Sequence, residues 1–204
     1  MTRRARLSLF ASVLGLALWN PTGLAQTTAT GLARLDFMLG EWQGTSRGEP
    51  GEGKIERVCA KVLDDRFVEC RTTVTYPAQA ANPKGEVHVD RALFSYDKST
   101  KNLRLRQFHG EGFVNTYAEG DPLSFVTTEI ENIPAGWRAR ETYESWSPDS
   151  WSERFELAGP GKDFKLYSAS TLQRVKTAAS TGETKPATIA EQAAEPLWRF
   201  DTHG

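Results

Sequence analysis

Ten short segments in which apolar and polar residues alternate, each ended by a turn, dominate the chain between residues 41 and 174. Strands are expected near 41–46, 54–62, 66–76, 86–97, 102–109, 112–118, 122–129, 137–146, 151–158 and 163–174. The breaks between them include Gly-Glu-Pro-Gly at 48–51, Asp64-Asp65, Gly120-Asp121, Ser147-Pro148-Asp149 and Gly159-Pro160-Gly161. In these turns Gly supplies positive φ, Pro fixes φ, and Asp or Ser caps the bend. Residues 31–38 suit one or two helical turns, and nothing else has the length and periodicity of a βαβ crossover helix. The class is all-β.

Short connections favour pairing in chain order, and ten strands in an open sheet would leave two long unpaired edges. Closure into an up-and-down antiparallel barrel removes both edges. A two-layer sandwich is the alternative, but the strands carry many charges: Arg104, Arg106, Arg138, Arg140, Glu141, Glu144, Glu153, Arg154 and Glu156. A barrel with a partly wet interior tolerates polar residues on both strand faces, which a dry sandwich core does not.

The two ends read differently from the middle. Arg3, Arg4 and Arg6 precede a mostly apolar run from Leu7 to Trp19, and Gly23-Leu24-Ala25 offers small residues for cleavage. The run is too short to span a bilayer, so residues 1–25 are read as a signal peptide, with export to the periplasm or beyond and no membrane span in the mature chain. Residues 26–31 form a linker, 32–175 the barrel, and 176–204 a flexible tail poor in apolar residues. The formal charge of −1 in 204 residues becomes −4 without the leader. Nothing in that balance provides the basic excess needed to meet nucleic-acid phosphates.

The two cysteines give a sharper expectation. If a hairpin turns on Asp64-Asp65 with a two-residue loop, Cys59 and Cys70 face each other across it. They would form a hydrogen-bonded pair with Cα atoms near ~5.5 Å, within disulfide range. An oxidising compartment would then join them.

Candidate site residues are few. There is no nucleophile elbow, phosphate loop or dinucleotide fingerprint. His88, His109 and His203 lie far apart in sequence without zinc-motif spacing, so no metal site is expected. His109 stands out because Arg106, Glu111 and Tyr117 lie close to it around a glycine-bounded turn. Arg104 and Arg106 share one strand face, as do Arg138 and Arg140. Inside a barrel such arginines would suit a ligand carboxylate. On the outside they would pair with Glu141, Glu144, Glu153 or Glu156 across strands. Either the face of Trp137, Ala139 and Tyr143 or that of Arg138, Arg140 and Trp146 could point inward.

Leu35-Asp36-Phe37-Met38-Leu39-Gly40-Glu41-Trp42-Gln43-Gly44 resembles the opening of the nitrobindin-like and fatty-acid-binding-protein-like barrels of the calycin group. In those barrels a short helical turn leads into a first strand carrying Gly-x-Trp-x-Gly. The chain looks closest to an uncharacterised family of secreted bacterial barrels, in which Arg106-Gln107-Phe108-His109-Gly110-Glu111-Gly112-Phe113 is also typical. The resemblance covers residues 32–175. It implies that Arg174, in the last strand, closes the barrel over Trp42. Nitrobindins hold haem through a histidine near the end of the barrel, and Phe164 to Arg174 contains none. Haem by that route is therefore not expected, and no other cofactor is implied.

The functional expectation is a barrel that binds a small hydrophobic or amphipathic anion, fatty-acid-like, through Arg106, His109, Arg138, Arg140 and Tyr143. One alternative is a haem-dependent or acid–base enzyme using His109 and Glu111 for proton transfer. Another is a barrel filled by its own side chains.

Overall fold

The computed structural model describes residues 30–144 and 146–176. The leader, the start of the linker and nearly all of the tail read from the sequence lie outside those residues. A 3₁₀ segment, Gly31–Met38, precedes ten strands: β1 (Gly40–Gly48), β2 (Gly51–Val62), β3 (Phe67–Tyr76), β4 (Glu86–Asp97), β5 (Asn102–His109), β6 (Val114–Glu119), β7 (Ser124–Glu131), β8 (Arg138–Glu144), β9 (Ser150–Ala158) and β10 (Lys165–Arg174). Each strand pairs antiparallel with its sequence neighbours, and β1 pairs with β10, so the barrel is closed. β6 starts two residues later than the alternation suggests. His109, Gly112 and Phe113 exchange backbone hydrogen bonds there and complete the turn first.

The barrel has a closed end and an open end. At the closed end Leu35 and Met38 of the 3₁₀ segment are fully buried with Trp42, Phe94, Leu103, Leu105, Tyr117, Phe125, Trp151 and Leu172. Arg34 latches the segment by donating to both carboxylate oxygens of Glu119, at 2.9 and 2.5 Å. Glu119 also accepts from the backbone N–H groups of Leu103 and Leu123. Trp42 donates its indole N–H to the Met38 carbonyl at 2.7 Å. Arg174 lies across the same ring, 4.1 Å from Cζ to the centroid. The second glycine of Gly-x-Trp-x-Gly has a steric reason: a Cβ at Gly44 would stand 1.9 Å from the Thr171 carbonyl oxygen of β10.

Cys59 and Cys70 are bonded, and the register pairs them as the hairpin arithmetic requires. Their class of pair differs from expectation. Residues 63–66 all belong to the turn, with Leu63, Asp64 and Asp65 at positive φ, so the loop takes four residues rather than two. That exchanges wide and narrow pairs along the ladder, and the Cα atoms lie 4.1 Å apart, in the narrow class. Closing so short a loop restricts the unfolded chain by about 2–3 kcal/mol. Cys59→Ala/Cys70→Ala is therefore expected to lose about that much stability in urea; an unchanged midpoint would contradict it.

At the open end the wall parts between β7 and β8. Only Ser124–Val126 of β7 pair with β8, while the rest of β7 runs on to Glu131. Ile130, Ile133, Pro134 and Trp137 flank this gap and border the interior cavity.

Candidate functional site

The open half of the barrel holds a cavity of about 540 Å³. Its apolar wall includes Ile55, Val74, Phe113, Ile130, Phe155 and Leu157. Deeper in, polar residues replace them because alternate positions on β2, β4, β8 and β9 carry charge, and one on β5 an amide, on the inward face. Arg57, Asp90, Gln107, Glu141 and Glu153 are all buried and all border the cavity.

Arg57 is the inward arginine, and it is fully engaged. Its two terminal nitrogens donate to both oxygens of Glu153, Nη2 to Oε1 at 2.9 Å. Its Nε donates to Thr72 Oγ1 at 2.9 Å, and its guanidinium lies over Trp151. Burial opposes its charge, but the charge and hydrogen bonds of Glu153 prevail and hold the group above the usual guanidinium value.

The remaining acids have no such partner. Asp90 accepts only a long bond from Gln107 Nε2, at 3.4 Å, besides His88 at 3.9 Å. Glu141 is 5% exposed, and burial and neighbouring charges, with no hydrogen bond from the described residues, act on its carboxyl. Burial, then the Glu153 charge, raises Glu141 well above the ordinary carboxylate range against the pull of Arg57. Burial raises Asp90 as well, with Arg57 and His88 opposing.

These shifts predict a pH dependence. A carboxyl with a raised folded pKa binds more protons folded than unfolded between its two pKa values, so stability falls as pH rises through that window. Glu141→Gln, which keeps the shape of the protonated acid, is expected to stabilise the protein above the ordinary Glu value of about 4.3. The gain amounts to about 1.4 kcal/mol for each tenfold rise in the carboxyl's proton affinity on folding. Below pH 4 the difference should vanish. Urea melts at pH 3.5 and 7.5 check this, and equal midpoints at pH 7.5 would contradict it.

The sequence-derived arginines need correction. Arg106, Arg138 and Arg140 do not border the cavity; they sit on the outer face. Arg106 pairs with Glu131 at 3.4 Å and lies over Phe108. Arg138 donates to the Lys162 carbonyl at 2.6 Å and lies over Phe164. Arg140 grips both oxygens of Glu156, at 2.6 and 2.8 Å. The inward face of β8 is that of Ala139, Glu141 and Tyr143. Tyr143 is inside, but it packs beneath the cavity against Phe94, Phe125 and Trp151. Of the five candidates, His109 alone borders the cavity.

His88 and His109, distant in sequence, are neighbours in the fold. The β4–β5 register sets Asp90 opposite His109, and continuing it brings Glu111 opposite His88. His88 Nδ1 lies 2.8 Å from Glu111 Oε1, and His88 Nε2 lies 3.4 Å from His109 Nδ1. The His109 ring stacks on Phe113 at 4.0 Å. Burial, then the charge of His88, depresses His109 to about 4, so it is neutral at physiological pH. Beyond it, Asn115 Nδ2 approaches His109 Nε2 at 3.3 Å and donates to the Tyr117 hydroxyl at 2.8 Å. That hydroxyl donates to Gln107 at 3.0 Å.

The fold and the site together define the class: a closed ten-strand antiparallel β-barrel with a cavity of ligand size in its open half. No family model matches the sequence, and no curated protein matches it. Among solved structures, Rv2717c from M. tuberculosis is 18% identical over 71% of this chain and 97% of its own, with a TM-score of 0.49. The S-type phycobiliprotein lyase CPES from Guillardia theta is 13% identical, covering 71% and 92%, at 0.42. A de novo designed fluorescence-activating β-barrel is 13% identical, covering 68% and 94%, at 0.38. The likeness to all three is one of β-barrel architecture.

Proposed function

We propose that the protein is an exported carrier or receptor that holds a small, largely apolar molecule, its polar end neutral or basic, in the barrel cavity. The observation that carries this reading is the buried, unpartnered Glu141 carboxyl at the floor of an apolar-walled cavity of about 540 Å³. Such volumes are typical of small-molecule sites. The sign of the polar end follows from the charges around it. Three buried acids, Asp90, Glu141 and Glu153, face one buried guanidinium, and Glu153 already occupies it. A ligand carboxylate would find no free cation on this floor, whereas a hydroxyl can donate to Glu141 or Asp90, and an ammonium would offset the burial that raises Glu141 and pair with its carboxylate. A fatty acid held by Arg106, Arg138 and Arg140 is therefore disfavoured.

Export is part of the proposal. It is supported by the Cys59–Cys70 disulfide, which persists in oxidising compartments. No helix among the described residues is long and apolar enough to cross a membrane. Assignment to the calycin group is likewise proposed; the stacking of Arg174 on Trp42 supports it.

Three probes of equal chain length test the ligand reading: dodecylamine, dodecanol and dodecanoic acid, titrated against tryptophan fluorescence and native mass spectrometry. The amine and the alcohol are expected to bind more tightly than the acid, with Glu141→Gln narrowing the gap between amine and acid. Tightest binding by the acid would overturn the sign of the floor. Binding by none of the three would leave the barrel a structural one.

A further inference from the structure

The cluster at the cavity mouth supports a second kind of site. One nitrogen from each of His88 and His109 and one carboxylate oxygen of Glu111 all lie within 4.8 Å of one another. The facing nitrogens, His88 Nε2 and His109 Nδ1, are 3.4 Å apart. Two imidazoles bound to one tetrahedral ion at bond lengths of about 2.0–2.1 Å would stand about 3.4 Å apart, so this pair already has the required spacing. Two imidazoles with a carboxylate match the donor preference of Zn²⁺ and its first-row neighbours.

We propose that His88, His109 and Glu111 form a divalent transition-metal site at the mouth of the cavity, with Zn²⁺ as its reference ion. It does not rest on the ligand reading above. Three protein donors leave a tetrahedral ion one further position, beside the cavity that His88, His109 and Glu111 border. Glu111 is the movable member. Its side chain is 44% exposed and can turn from the His88 Nδ1 hydrogen bond onto the ion.

The surroundings orient both rings. Stacking on Phe113 sets the plane of His109. Asn115 Oδ1 is buried with no hydrogen-bond partner, while its amide nitrogen faces His109 Nε2. After a half-turn of that amide the oxygen would accept Nε2–H and the Tyr117 hydroxyl proton, the nitrogen would take the position that now lacks a partner, and the Nδ1 lone pair would be directed at His88. Metal-bound histidines are commonly held this way, by an acceptor on the nitrogen remote from the ion. No run of sequence could carry the motif, since His88 and His109 are 21 residues apart and meet only across β4 and β5.

The test uses the untagged protein, stripped with chelator and dialysed against Zn²⁺, with bound metal measured directly and Co²⁺ as a spectroscopic stand-in. One equivalent of Zn²⁺ is expected, together with Co²⁺ visible bands of tetrahedral or five-coordinate intensity. His88→Ala and His109→Ala should each weaken binding at least about tenfold, and Asn115→Leu should weaken it by about 10–100-fold. His203→Ala should leave it unchanged. Far-ultraviolet circular dichroism and the melting temperature identify any variant that fails to fold. As a readout independent of the variants, Zn²⁺ should shift two of the three histidine ring resonances of the unmodified protein. Substoichiometric metal, binding that survives His88→Ala in a folded variant, or binding lost in His203→Ala would each overturn the site.

Discussion

Arg57→Met is expected to cost about 3–5 kcal/mol, because it leaves Glu153 buried with an uncompensated charge. The pair sits at the centre of the interior, with side chains 8% and 7% exposed. Removing the guanidinium also strands Thr72 Oγ1 and uncovers Trp151. For a domain of this size the loss is a fall of roughly 6–20 °C in Tm. The double variant Arg57→Met/Glu153→Leu should recover most of it, since exchanging a whole buried ion pair for apolar groups is often neutral or stabilising. Urea unfolding of the two single variants and the double gives the coupling. A mild Arg57→Met, or a double variant no better than the single, would mean that water reaches the pair freely. The first result would also weaken the case for a desolvated cavity floor.

Trp42→Ala should cost about as much, 3–5 kcal/mol, for a different reason. The indole is 1% exposed, meets Trp151 edge-on at 5.8 Å and plugs the closed end. Deleting it leaves a void where the 3₁₀ segment, β1 and β10 converge, and the segment cannot collapse far because Arg34 is tied to Glu119. Arg174→Met is expected to cost less. The cation–π contact contributes about 0.5–2 kcal/mol. The same guanidinium also donates to the Leu39 and Pro148 carbonyls, each at 2.7 Å. A Trp42→Ala variant within about 1 kcal/mol of the parent in urea would show that the end is closed by something other than this ring.

The sequence by itself determined the local and the nearest-neighbour features of this protein. Strand number, turn positions and the Cys59–Cys70 pairing were legible because each depends on residues at most about a dozen apart, read through a period of two. Trp42 with Arg174 was implied by the resemblance to calycin barrels, and the pairing of β1 with β10 sets the two opposite each other.

What the tertiary structure alone decided is which face of each strand turns inward, and therefore which charges meet. Arg140 and Glu141 are adjacent in sequence, yet one binds Glu156 outside while the other is buried without a partner at the cavity floor. Alternation separates two faces but does not say which is the inner one when both carry charge and both carry aromatics. A signal existed: Arg57 shares its face with Ile55 and the disulfide cysteine Cys59, and Glu141 shares its face with Ala139 and Tyr143. The partner of Arg57, however, lies 96 residues away, across the barrel. Its choice depends on strand stagger and closure, which no local pattern encodes. The meeting of His88, His109 and Glu111 follows from the same cause, the register of β4 on β5, and so became visible only once the sheet had closed.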